Sequence, residues 1–205
     1  MIPANEALER LKEGNRRFVD NIATSETRAR NTKFQVIDDQ RPVAVILGCS
    51  DARVPAELVF DQGFGDLFVI RVAGNIVAPS QIGSVEFAAA RLGARLVVVL
   101  GHSNCGAVAA TLEELEQPME NRSPNLSSIV DRIRPSLDTL SEQQLNADAD
   151  TLMEHAVRAN ILASVHNLCE GSAILEQLVK DDGLMVVGAE YSLSTGVVEF
   201  IDGAT

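Results

Sequence analysis

The chain has 205 residues, 46% of them apolar and 22% charged. This balance supports one packed domain and excludes a disordered chain or a collagen-like repeat. With 29 acidic against 17 basic residues the net charge is −12, which argues against binding nucleic acid or an anionic membrane, since both need a positive field. Three cysteines cannot all pair within the chain, so a reducing cytoplasm is expected, with thiols available for metal or catalysis.

The N-terminus is charged and helix-periodic over 4–20, with Ala7, Leu8, Leu11 and Phe18 on one face. No strand precedes this helix, so it is expected to reach a partner subunit. Residues 21–40 are polar and read as a loop with a short helix. Four apolar runs follow: VAVIL at 43–47, LFVIRV at 67–72, LVVVL at 96–100 and LMVV at 184–187. They are continuous rather than alternating, as in parallel strands covered by helices on both faces. Between them lie helical stretches: 80–92 with Ser80 as cap, 105–117, about 124–145 opened by Ser123–Pro124, 147–170 and 171–181. The segment YSLSTGVVEFI turns at Thr195–Gly196, which predicts an antiparallel edge strand over about 197–201. The acidic stretch 113–120 reads as a solvated face. No apolar run is long enough to span a membrane, and the N-terminus has no apolar core of a signal peptide.

The predicted fold is α/β. A mainly parallel central sheet has four parallel strands plus an antiparallel C-terminal edge strand, flanked by helices, with an N-terminal helical arm. It forms one domain over 1–205, of which 1–40 is the arm and loop. Ligands of such sheets bind beyond the carboxyl ends of the strands.

Two clusters of reactive residues sit at those ends. The first apolar run leads through Gly48 into Cys49-Ser50-Asp51-Ala52-Arg53, and the third through Gly101 into His102-Ser103-Asn104-Cys105-Gly106. If the two strands are neighbours, Cys49, His102 and Cys105 converge. Two thiolates and one imidazole suit zinc, and three protein ligands leave a fourth position open, as in catalytic sites. A lone cysteine after a strand is more often a small core residue; it is the pairing of the two clusters that points to metal. The bland alternative for Asp51 and Arg53 is a strand-end salt bridge.

CSDAR followed by GHSNCG resembles the β-class carbonic anhydrases, whose pattern is C-x-D-x-R with H-x-x-C. The resemblance runs on through FDQGFGDLFVIRVAGNIV and GSVEFAAARLGARLVVVLGH and covers most of the chain. Ala52 departs from the serine many members carry there, which removes no proposed ligand. The resemblance implies reversible hydration of carbon dioxide to bicarbonate, with hydroxide on a zinc ion as nucleophile. It assigns zinc to Cys49, His102 and Cys105, and a catalytic pair to Asp51 and Arg53, with Asp51 a fourth ligand only in a closed state. It places Gln40, Phe68, Phe87 and the Gly106 amide at the substrate pocket, with Gln40 reaching a partner's site. A homodimer or homotetramer is therefore expected. Arg71 and Tyr191 match two of three residues of an inhibitory bicarbonate site in one subgroup. The third, a tryptophan, is Ile46 here, so Arg71 and Tyr191 are expected to be structural or interface residues.

Other chemistries fit less well. A cysteine phosphatase needs arginine six residues after its cysteine, where Pro55 stands. A nucleobase deaminase needs His-x-Glu with Cys-x-x-Cys, and neither occurs. A structural zinc module would need a fourth tight ligand. Cys169 reads as a buried thiol, and His155 and His166 as solvent or interface residues.

Overall fold

The computed structural model describes residues 2–21, 40–116 and 123–201. Most of the loop expected over 21–40, and the end of the acidic stretch 113–120, lie outside those residues. The chain order is α1 (Ala4–Val19), β1 (Ala44–Gly48), α2 (Ala56–Val59), β2 (Leu67–Arg71), α3 (Pro79–Glu86), β3 (Leu96–His102), α4 (Gly106–Glu116), α5 (Pro124–Leu137), α6 (Glu142–Leu145), α7 (Ala149–Glu170), α8 (Ala173–Asp181), β4 (Met185–Tyr191) and β5 (Val198–Ile201). The strands form one sheet in the order β2-β1-β3-β4-β5. All pairs are parallel except β4 with β5.

The continuous apolar runs have the expected cause. Every residue of β1 and β3 is buried, because alternate side chains enter two different cores. Val45, Leu47, Val97 and Val99 pack with Val85 of α3, Val108 of α4, Ile133 of α5, Ile161 of α7 and Leu175 of α8. Ile46, Val98 and Leu100 pack on the other face with Ala7 and Leu11 of α1, Val59 and Phe60.

Several boundaries differ from the sequence reading. The helix expected over 124–145 is two, because Ser141 and Gln144 form a reciprocal capping box that starts α6 afresh after α5 has ended at Leu137. Ser80 is not a cap: α3 begins one residue earlier with Pro79 at its first position, after Ala78. Its continuation over Phe87–Arg91 widens into a π-helical turn. The helix expected from 171 starts at Ala173, where the Ser172 side chain caps the Leu175 amide. Strands β3 and β4 run further than their apolar runs, to His102 and Tyr191.

Helix α1 lies on its own chain's sheet. Asn15 is buried and donates to the carbonyls of Val59 and Gly196, while its Oδ1 accepts from the Val198 amide at 2.8 Å. Arg10 pairs with Asp66 and Arg17 with Asp61. The apolar face of α1 is thus packed within the chain, while Phe18 and Val19 are left exposed at the helix end. At the point of closest approach Gly14 is required: a Cβ there would sit 1.9 Å from the Phe60 carbonyl oxygen. On an exposed helix Gly→Ala gains up to about 1 kcal/mol. Here Gly14→Ala is predicted to cost about 1–3 kcal/mol, read as a lower denaturation midpoint. A higher midpoint would show that α1 does not rest on Phe60.

Candidate metal centre

Strands β1 and β3 are hydrogen-bonded neighbours, with Gly48 opposite Leu100. Both therefore end at the same edge of the sheet, and the turns after them face each other. Their side chains meet: Cys49 Sγ, a His102 ring nitrogen and Cys105 Sγ all lie within 4.8 Å of one another, and all three residues are buried. Among the described residues this is the one group of three or more such side chains close enough to hold a metal ion.

The residues present fit zinc on three counts. The two sulfurs are 4.0 Å apart, far beyond a disulfide bond of about 2.05 Å. Two Zn–S bonds of about 2.3 Å at a tetrahedral angle set sulfurs about 3.8 Å apart. The His102 Nδ1 lies 2.9 Å from the Ser103 carbonyl; a carbonyl only accepts, so Nδ1 carries the proton and Nε2 presents a lone pair. That Nε2 is buried with no hydrogen-bond partner, as a ligand atom would be.

The three groups are also electrostatically linked to one another. The two sulfurs share a hydrogen bond, which with help from His102 and the Gly74 amide holds the Cys49 thiol well below the usual thiol range. That same hydrogen bond, with burial, pushes the Cys105 thiol up. Burial works against a charged His102, but the Cys49 sulfur beside it and the Ser103 carbonyl raise it overall.

Asp51 and Arg53 form a two-pronged pair at the mouth of the cluster. Arg53 Nε donates to Asp51 Oδ1 at 2.9 Å and Nη2 to Oδ2 at 2.7 Å, and the Arg53 amide adds a bond to Oδ1. Asp51 Oδ2 lies 3.8 Å from His102 Nε2. The Arg53 guanidinium holds the Asp51 carboxyl well below the usual carboxylate range. A depressed carboxyl stabilises the fold above its ordinary range and loses that contribution only as pH falls through the folded value. Asp51 is therefore ionised at any neutral pH.

The other predicted residues are more dispersed. Gly106 opens α4 directly after Cys105 and is exposed. Phe68 and Phe87 contact each other, with ring centroids 6.2 Å apart. Phe68 pairs with Val45, three positions before Arg71 on β2, or about 10 Å along the strand from the site's edge. Gln40 is exposed. Ile46 is wholly buried beneath the sheet. Tyr191 is buried with its ring 6.5 Å from that of Phe18. His155 and His166 lie on a cleft between α5 and α7, and His166 pairs with Glu170. Cys169 is partly buried.

Arg71 has a part that the sequence did not disclose. Its Nε donates to the Cys49 carbonyl at 3.0 Å and its Nη2 to the Asp51 carbonyl, so β2 clamps the turn that carries both residues. The Gly74 amide, also beyond β2, donates to Cys49 Sγ at 3.4 Å. The only sequence signal for either was their place in the run VIRVAGN.

Residues 44–198 match the family model for carbonic anhydrase. The chain is 36% identical over 193 residues to a carbonic anhydrase of Mycolicibacterium smegmatis, covering 94% of this chain and 91% of that protein. It is 34% identical over 192 residues to carbonic anhydrase 2 of Mycobacterium tuberculosis, covering 93% and 89%. Among solved structures it is similar to a Coccomyxa β-carbonic anhydrase in complex with acetazolamide, with a TM-score of 0.74 and 27% identity over 95% of this chain and 86% of that one. A tetrameric β-carbonic anhydrase of Sordaria macrospora shares the fold, with a TM-score of 0.70 and 23% identity over 82% and 84% of the two chains.

Zinc-loaded protein is predicted to hold one zinc per chain by elemental analysis. Cys49→Ser should lose it, and stoichiometric zinc retained in that variant would contradict the ligand set.

Proposed function

This chain belongs to the β class of carbonic anhydrases, and from that premise we propose how its residues divide the work of hydrating carbon dioxide. The activity is the reversible conversion of carbon dioxide and water to bicarbonate and a proton, with zinc as cofactor. The observation that carries the division of labour is the buried Cys49–His102–Cys105 cluster with the Asp51–Arg53 pair at its mouth.

Cys49, His102 and Cys105 would hold zinc, which would supply Lewis acidity toward a water, weaker than in a three-imidazole site because two thiolates cancel its formal charge. Asp51 accepts the hydrogen bond of the attacking water and orients its lone pair toward the substrate carbon. Arg53 keeps that carboxylate turned toward itself and away from the three ligand atoms, so that Asp51 would not take a coordination position on zinc. The Gly106 amide, at the start of an eleven-residue helix, donates to an oxygen of the bicarbonate. Apolar walls suit carbon dioxide, which has no permanent dipole.

The walls come from a second copy of the chain. Strand β2 is an edge of the sheet, and Phe64 and Phe87 are 66% and 48% exposed. An edge strand flanked by exposed aromatics is a surface that another chain covers. Gln40, Phe68 and Phe87 of one protomer then complete the pocket of its partner, in a dimer or a tetramer. The thiol ligands favour a reducing compartment, the cytoplasm; no helix of the described residues is long and apolar enough to cross a membrane.

Four outcomes test this reading. Asp51→Asn is expected to lower the stopped-flow hydration rate by about 10²–10⁴-fold while zinc content is retained; a wild-type rate would remove Asp51 from catalysis. The rate should rise toward alkaline pH between about 6.5 and 9. With Ile46 offering no donor, added bicarbonate should cause no steep loss at the acid end, and such a loss would contradict this. Light scattering under assay conditions should find a dimer or a multiple of it, whereas an active monomer would exclude a shared pocket.

A further inference from the structure

Cys49 is held from two sides, and one of those holds is anchored on a distant helix. The turn Ala73–Asn75 lies between β2 and α3. Its Gly74 amide donates to Cys49 Sγ at 3.4 Å. Gly74 has φ of +69°, a conformation that glycine tolerates at least cost. A Cβ at Gly74 would also lie 2.8 Å from Ile133 Cδ1 and 3.0 Å from Ala107 Cβ, so neighbouring helices close over it. A glycine in an unusual conformation keeps its orientation only when its neighbours are fixed. Here the Gly74 carbonyl accepts from Asn160 Nδ2 at 2.8 Å, and the next carbonyl, of Asn75, accepts from Ser164 Oγ at 3.1 Å. Asn160 and Ser164 stand one turn apart on α7 and are 2% and 3% exposed. On the near side, the Asn75 amide closes the turn onto the Val72 carbonyl at 3.1 Å.

We propose that Asn160 is a positioning residue for the metal centre: by fixing the Gly74 carbonyl it aims the Gly74 amide at the Cys49 sulfur. The inference rests on the zinc reading of Cys49, His102 and Cys105. An N–H donated to a thiolate withdraws electron density from the sulfur, which lowers its donation to the metal and leaves the metal the stronger Lewis acid. It also fixes the direction of the sulfur lone pairs, and so the fit of the ligand set. Asn160 touches neither substrate nor metal and acts through two backbone groups. Ser164 holds the same turn one carbonyl further from the donating amide.

Cobalt-substituted protein tests this directly, because its sulfur-to-cobalt charge-transfer band reports electron density on the thiolates. In Asn160→Leu, and in Asn160→Ser, whose hydroxyl is too short to span to Gly74, the band should move to longer wavelength. Because the sulfur also loses the bond that orients it in the ligand set, and misfit outweighs its greater donation, transfer of zinc to a chelator should show affinity weakened by about 10–100-fold. Ser164→Ala loses a buried hydrogen bond of the same turn and should lower the melting temperature with the band unmoved. A wild-type band and zinc affinity in a folded Asn160 variant would overturn the proposal, as would an equal shift in Ser164→Ala. Should neither Asn160 variant fold, wild-type protein loaded with a spin-half cadmium isotope decides: scalar coupling from cadmium through Cys49 Sγ to the Gly74 amide proton supports the proposal, and its absence overturns it. Absence of any sulfur-to-cobalt band in the wild type would instead show that the zinc reading itself fails.

Discussion

Parallel pairing of β1 with β3 fixes where two thiols and an imidazole can meet. With Gly48 opposite Leu100, β1 releases its chain at Cys49 while β3 carries on two residues further, to His102. A shift of one residue would turn every side chain of the strand to the opposite core. The sheet's interior cannot absorb that, since Val97, Val98, Val99 and Leu100 are all essentially without exposure. The register that buries the valines is therefore the register that assembles the cluster, and the site inherits the rigidity of the sheet. Rigidity of this kind is what a preorganised metal site needs.

Around the cluster, the charges are handled by short local bonds. Arg53 reaches back two residues to grip Asp51 with both prongs, so the carboxylate is held by its own loop. Arg71 grips the main chain of that loop at Cys49 and Asp51. Arg71 matches one residue of an inhibitory anion site, but here its Nε and Nη2 donate to two carbonyls, and Ile46 faces the core. In a chain of net charge −12, these two arginines supply local positive charge where an anionic product forms.

Much of this was legible in the sequence because the signals were local. Runs such as VAVIL and LVVVL name strands buried on both faces, and the Gly that ends each marks where the chemistry begins. His102 and Cys105 alone are a weak signal, and it is their pairing with Cys49, once the strands are taken as neighbours, that makes the metal site legible. What stayed hidden depends on tertiary contact. No local pattern says that Asn160, in a helix of mixed polarity, supports a turn 86 residues away, or that Arg71 bends toward main-chain carbonyls. The split between α5 and α6 was readable in principle from Ser141 and Gln144, but an apolar periodicity spanning both helices masked it. The docking of α1 on its own sheet rests on Asn15, whose amide bridges Val59, Gly196 and Val198, three groups that are remote from it in sequence.

The central claim is that one zinc in the Cys49–His102–Cys105 cluster turns a packed sheet edge into a hydration catalyst. Its most direct test is a titration: protein stripped by chelator is reloaded with zinc in steps, and the carbon dioxide hydration rate is followed by stopped flow at each step. The account predicts a rate that rises in proportion to zinc, reaches its plateau at one ion per chain and is abolished again by chelator. Full activity in the stripped protein, or a chain that holds one zinc in this cluster and does not hydrate carbon dioxide, would contradict it.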